Sequence, residues 1–275
     1  MKCSRRQFLA SASAISVASL GRAVGVKAAS SIRVGTCTLG LRQAREAGLD
    51  GVEIRAGNPS DTLDIADPAR RASWKAEMQE TGLVICSIMM GLLNQCPLAT
   101  DPRAPAWLEQ TIDGARDLGA KNILVAFFGK GSLLENGKLK EDDFRSVVDR
   151  LKDAAPRAAD AGVILAVENT LTAEQNERLL DAVGHPAVRI YYDVYNTRSY
   201  GVPGELRRLK DRISQLHFKN GPKYLDEDAP IFEEIAAAVR DIGYSGWIVL
   251  ETSSPSKDGV ADARRNGHYV RKLFA

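Results

Sequence analysis

The chain is poor in the residues that cross-link or build histidine-rich metal clusters: its 275 residues include four cysteines and three histidines. Cys3 lies in an atypical N-terminal stretch. Cys37, Cys86 and Cys96 form an odd set without CxxC spacing, so neither a disulfide framework nor a zinc cluster is indicated, and buried free thiols are expected. A chain of this length needs neither to close a core. No apolar run approaches the ~20 residues of a membrane span. No GxGxxG follows the first β-branched run, which argues against a doubly wound dinucleotide fold. Internal repeats, low-complexity segments and domain linkers are also absent. Strong basicity is missing too. Lys2, Arg5, Arg6, Arg22 and Lys27 fall within residues 1–28, which hold no acid, so the formal charge of +2 becomes −3 for the remainder. No basic surface is left to attract nucleic acid.

The first 28 residues follow their own pattern. Ser4-Arg5-Arg6-Gln7-Phe8-Leu9 leads into a mildly apolar Ala/Ser stretch, broken by Gly21-Arg22, and then Val26-Lys27-Ala28. This resembles a twin-arginine export signal with a small-residue cleavage site near Ala28. It implies the twin-arginine export machinery as a partner, a periplasmic location and no stable membrane anchor. That route carries folded proteins, which suits a cofactor loaded before export.

From Ile32 onward, short β-branched runs alternate with longer amphipathic stretches. The expected strands are Ile32–Thr36, Val52–Ile54, Val84–Met89, Ile123–Ala126, Ile164–Glu168, Arg189–Asp193, Ile213–Phe218 and Trp247–Glu251. Helical patterns fall between them at Leu41–Ala47, Ala69–Glu80, Ala106–Leu118, Phe144–Ala161, Gln175–Val183, Glu205–Lys210 and Phe232–Ile242. Gly48, Gly82, Gly119, Gly162 and Gly243 each stand between a helix and the next strand, where a left-handed residue closes the helix. Eight such units over residues 31–275 predict a single-domain α/β protein, a (β/α)8 TIM barrel. The long loops at 56–68, 91–105 and 127–142 are expected to roof its pocket.

Polar residues collect at the ends of the last four strands: Glu168, Asp193, His217 and Glu251. Carboxylates beside an apolar barrel core are costly unless compensated. Three carboxylates and one imidazole on one rim suit a divalent metal. The oxygen-rich set favours Mn2+ or Mg2+, with Co2+ or Zn2+ as alternatives.

Val167-Glu168-Asn169, Tyr192-Asp193-Val194-Tyr195-Asn196, Leu216-His217-Phe218-Lys219-Asn220 and Gly246 through Glu251 together resemble the xylose isomerase-like TIM-barrel superfamily, most closely its sugar phosphate isomerase/epimerase branch. Gly51-Val52-Glu53-Ile54 fits the second strand of that pattern. The resemblance implies a metal held by Glu168, Asp193, His217 and Glu251, with Glu168 and Glu251 as the acid/base pair. Asn196 stands where some ketose epimerases carry histidine, and Lys219-Asn220 where many relatives have Lys-Asp. Residues 221–229 lack the glycine-rich turn often found there. These departures bear on the substrate.

Asn196, Lys219, Arg198 and Glu53 are the substrate-side candidates. Lys219 either orients a substrate group or pairs with a rim acid, Arg198 suits an anionic substrate or stays solvated, and Glu53 supports the pocket by hydrogen bonding. Asn169 is read as a loop-bonding residue, Trp107, Trp247 and His185 as structural, and Phe127 and Phe128 as an apolar pocket wall. His268 has no evident partner. The expected activity is metal-dependent isomerisation or epimerisation of a keto sugar or related small carbohydrate through an enediolate. A lyase or dehydratase on the same barrel, or a non-catalytic periplasmic sugar binder, is the alternative. A multi-metal nuclease of the same barrel type needs more rim histidines than this chain has.

Overall fold

The structure, a computed structural model, describes residues 32–275. The export signal expected in residues 1–28 lies outside the described residues. Eight parallel strands close into a barrel: β1 Ile32–Thr36, β2 Gly51–Arg55, β3 Val84–Met90, β4 Asn122–Ala126, β5 Ile164–Glu168, β6 Val188–Asp193, β7 Ile213–Phe218 and β8 Gly246–Leu250. Each is followed by a helix: α1 Leu41–Glu46, α2 Pro68–Thr81, α3 Ala104–Leu118, α4 Glu141–Asp160, α5 Ala173–Val183, α6 Val202–Leu209, α7 Ala229–Asp241 and α8 Gly259–Leu273. β1 pairs with β8 and with β2, which closes the ring. This is the expected (β/α)8 architecture, and the five helix-ending glycines all take left-handed φ values of 65 to 75°.

Helix starts differ from the periodicity for local reasons. α4 begins at Glu141 rather than Phe144, because Glu141, Asp142 and Asp143 form an acidic first turn that favours the positive end of the helix. α5 begins at Ala173 rather than Gln175. Thr172 Oγ1 accepts the Gln175 N–H, and Gln175 Oε1 accepts the Thr172 N–H, a reciprocal capping pair. That cap fixes the exit of the chain from β5, four residues after Glu168.

Period-two alternation divides each strand between two environments. Ile123 and Val125 of β4, and Ile248 and Leu250 of β8, join the large core beneath the helices. Leu124 and Ala126 pack instead with Ala166 and Tyr191, and Trp247 and Val249 with Cys86, in two small clusters made by the strands themselves. Gly51 is required at this second cluster: a Cβ there would lie 2.6 Å from the Val84 carbonyl oxygen and 2.8 Å from the Trp247 ring. Trp107 is fully buried and donates its indole N–H to the Ser60 carbonyl, a packing role as expected. All three cysteines among the described residues are free, though only Cys86 is buried; Cys37 and Cys96 are partly exposed.

Candidate metal centre

The inward-facing positions of β5, β6 and β7, with the first residue after β8, bring four groups together. Potential ligand atoms of Glu168, Asp193, His217 and Glu251 all lie within 4.8 Å of one another. His217 Nδ1 is 3.0 Å from Glu168 Oε1, 3.5 Å from Glu251 Oε2 and 4.0 Å from Asp193 Oδ2. Asp193 Oδ1 accepts the N–H groups of Tyr195 and Asn196, both at 2.7 Å, which turns Oδ2 toward the cluster. That Oδ2 lies 3.0 Å from the Lys219 ammonium but out of line, and it is a buried oxygen without a hydrogen bond.

A chain of buried hydrogen bonds fixes His217 from below. The Asn122 amide donates to Gln215 Oε1 at 2.8 Å. Gln215 Nε2 donates to Ser87 Oγ at 2.7 Å and to Tyr191 Oη at 2.9 Å. Both hydroxyls then donate to Glu53 Oε2, at 2.6 and 2.9 Å. The remaining oxygen, Glu53 Oε1, lies 3.2 Å from His217 Nε2. Glu53 is thus an acceptor at every contact, and Nε2 of His217 carries the proton. In a neutral imidazole the Nδ1 lone pair then points at three carboxylates, an arrangement that calls for a positive charge among them. Asp193 Oδ2, which accepts no hydrogen bond, and this Nδ1 fit a divalent cation.

Without a cation the imidazole supplies that charge. Burial opposes protonation of His217, but Glu168 and Glu53 raise its pKa well above the usual value. Burial lifts Glu168 to about 7 despite the neighbouring His217. It also raises Asp193, against the pull of Lys219 and His217. At Glu251 burial is outweighed by His217 and Lys219, which hold its carboxyl below the ordinary range.

Glu168 and Glu251 open onto a pocket of about 240 Å³, lined also by Asn196, Lys219, Met89, Asn94, Ala126 and Phe128, while Asp193 and His217 lie buried beside them. The loops after β3 and β4 supply Asn94 and Phe128, in line with the expected roof. Lys219 pairs with Glu251 at 2.8 Å while still facing the pocket, and Asn196 lines it directly. Glu53, grouped with the substrate-side candidates, does not line the pocket but supports it by hydrogen bonding from beneath His217. Two expectations fall elsewhere. Arg198 is tied to Asn220 Oδ1 and Asp228, both at 3.1 Å, and does not line it. Phe127 is buried in the main core, leaving Phe128 alone as the aromatic wall. Asn169 bonds Leu171 N–H and Asn176 as a loop residue. His185 accepts the Ala187 N–H, a local structural role, and His268 is exposed.

Sequence reasoning missed Ser87, Tyr191, Gln215 and Asn122. Their signal was polar side chains inside strands, which are retained only when satisfied.

Fold and site together define a (β/α)8 barrel with an acidic, single-histidine centre at the C-terminal ends of its strands. The chain belongs to the Xylose isomerase-like TIM barrel family, whose model matches residues 41–273. A 2-epi-5-epi-valiolone 7-phosphate 2-epimerase from Actinoplanes sp. is 27% identical over 186 residues, spanning 66% of this chain and 67% of that protein. Among solved structures, a D-psicose 3-epimerase determined in the presence of D-fructose superposes with a TM-score of 0.72 at 16% identity, covering 88% of this chain and 99% of that one. An L-ribulose 3-epimerase gives 0.71 at 21% identity, covering 88% and 94%.

Proposed function

We propose that this protein is a divalent-metal-dependent epimerase or isomerase of a keto sugar or closely related small carbohydrate. The observation that carries the reading is the placement of Glu168 and Glu251. Both belong to the four-residue cluster and both face the pocket. They stand on β5 and just beyond β8, with β6 and β7 between them, so they approach a bound molecule from different sides. The epimerase names of the relatives favour the same chemistry.

Glu168, Asp193, His217 and Glu251 would hold the cation, with Mn2+ or Mg2+ matching the oxygen-rich set. Such an ion polarises a carbonyl and stabilises the negative charge that develops as the neighbouring carbon loses its proton. The protein's own groups do the rest. One glutamate takes the proton from the carbon beside the carbonyl, and the other returns a proton to the opposite face of the enediolate. Lys219 holds Glu251 in an ionised, oriented state through its 2.8 Å contact. Phe128, Met89 and Ala126 cover the apolar side of the sugar and limit water at the reacting carbon. On the strength of the Arg5-Arg6 run, the reading includes export by the twin-arginine route to the periplasm.

The test is proton exchange. Metal-loaded protein is incubated in D2O with a panel of ketopentoses and ketohexoses and followed by NMR. Deuterium at the carbon beside the carbonyl, with a new epimer or isomer, is the expected outcome. A dehydrated product instead identifies a lyase. Absence of exchange on every sugar, with metal bound, overturns the catalytic reading and leaves a sugar binder.

A further inference from the structure

A second hollow of about 200 Å³ lies against the catalytic pocket and shares Met89 with it. Its walls come from the ends of β2 and β3 and the loops after them, and include Arg55, Asn58, Pro59, Leu92 and Gln95. Taken alone, each hollow is smaller than the ~300 Å³ at which small-molecule sites usually begin; joined across Met89 they exceed it. Methionine is the side chain best able to swing aside at such a divider.

The polar groups there are unspent. Arg103 and Arg198, on the loops of the same face, are paired with Asp101 and Asp228. Among the described residues, Arg55 has no carboxylate partner and the side chains of Asn58 and Gln95 make no hydrogen bonds. Arg55 is exposed and presents the planar donor fork that matches carboxylate and phosphate oxygens. The reaction floor would not repel an anion placed there: Lys219 pairs with Asp193 and Glu251, and the divalent cation proposed above would offset the remaining negative charge.

Resting on the function proposed above, the geometry points to a substrate that spans both hollows, its keto end over Glu168 and Glu251 and an anionic group at its far end held by Arg55, Asn58 and Gln95. The substrate class is thus an acidic keto sugar, with the anion either a carboxylate or a phosphate.

The experiment takes the ketohexose that exchanges fastest in D2O and compares it with its 6-carboxylate and 6-phosphate forms, using metal-loaded wild type, Arg55→Gln and Arg55→Lys. The acidic forms are expected to show higher kcat/KM than the neutral sugar. The acid-to-neutral ratio should fall roughly tenfold to a hundredfold in Arg55→Gln, mainly through KM, and recover in part in Arg55→Lys. Preference between carboxylate and phosphate identifies the anion. Exchange on the neutral sugar with no acid preference, or an equal loss on all three substrates in Arg55→Gln, overturns the subsite and leaves the epimerase reading intact. No exchange with any of them overturns both.

Discussion

Replacing Glu53 with Gln exchanges one carboxylate oxygen for an amide nitrogen at the base of His217, and the surrounding hydrogen bonds make that change costly. Ser87 and Tyr191 donate to Glu53 Oε2 because their own acceptor positions are taken by Gln215 Nε2, and Gln215 is itself oriented by Asn122. An amide placed with its nitrogen toward the two hydroxyls meets groups already committed as donors. Placed the other way, its nitrogen faces Nε2 of His217 and drives the imidazole proton to Nδ1, where the cation would bind. Either arrangement weakens the metal site without reaching the pocket. Loss of a hydrogen-bond partner behind a ligating histidine typically costs tenfold to a hundredfold in metal affinity, about 1.4 to 2.7 kcal/mol. Isothermal titration of Mn2+ into Glu53→Gln and wild type measures it, with circular dichroism confirming the fold. A dissociation constant within threefold of wild type refutes the argument that this network sets the His217 tautomer.

Other consequences are open to measurement. Glu251→Gln should lower kcat for proton exchange by about 10²- to 10⁴-fold, the range lost with a positioned acid or base; a tenfold loss or less removes Glu251 from the proton-transfer step. Asp262 accepts hydroxyls from Tyr224, Ser254 and Ser256, at 2.7, 2.6 and 2.7 Å, and so joins the loops after β7 and β8. Burial opposes its charge, but these donors hold it at about 2. The unfolded value is about 3.9, so its stabilisation is complete above that pH and is lost as pH falls through about 2. Asp262→Asn should therefore cost roughly 2 kcal/mol at neutral pH, and chemical denaturation should show the gap from wild type closing between about pH 4 and 2. A gap independent of pH contradicts the assignment. Gly51→Ala forces a Cβ against the Val84 carbonyl and the Trp247 ring, and should lower stability by about 1 to 3 kcal/mol; an unchanged melting temperature shows that the contact relaxes freely.

The barrel and the four-residue cluster were legible in the sequence because both follow from short-range rules. Strand ends can be read from apolar runs that stop at Glu168, Asp193 and His217, and the glycines at 48, 82, 119, 162 and 243 mark the return of each helix. The support beneath the cluster was not legible because it depends on register. Between Val52 and Glu53 the pairing with β3 shifts so that Glu53 faces Ser87, and between Ile190 and Tyr191 the pairing with β7 shifts so that Tyr191 faces Gln215. Cys86 and Ser214 are the extra residues at these two irregularities, which place the polar side chains of four strands on one another. No periodicity announces an irregularity of this kind. Arg198 illustrates the converse: its position after β6 suggested a substrate contact or a solvated side chain, whereas Asn220 and Asp228, over 20 residues later, capture the guanidinium. A long flexible side chain is poorly located by its Cα alone.

The measurement closest to the central claim is metal stoichiometry by titration and elemental analysis after chelation and reloading with Mn2+ or Mg2+, on the protein and on Asp193→Asn and Glu168→Gln. The account predicts one equivalent per chain in the wild type, sharply weakened in both variants. A folded protein that takes up neither ion, or variants that bind as tightly as the wild type, would contradict it.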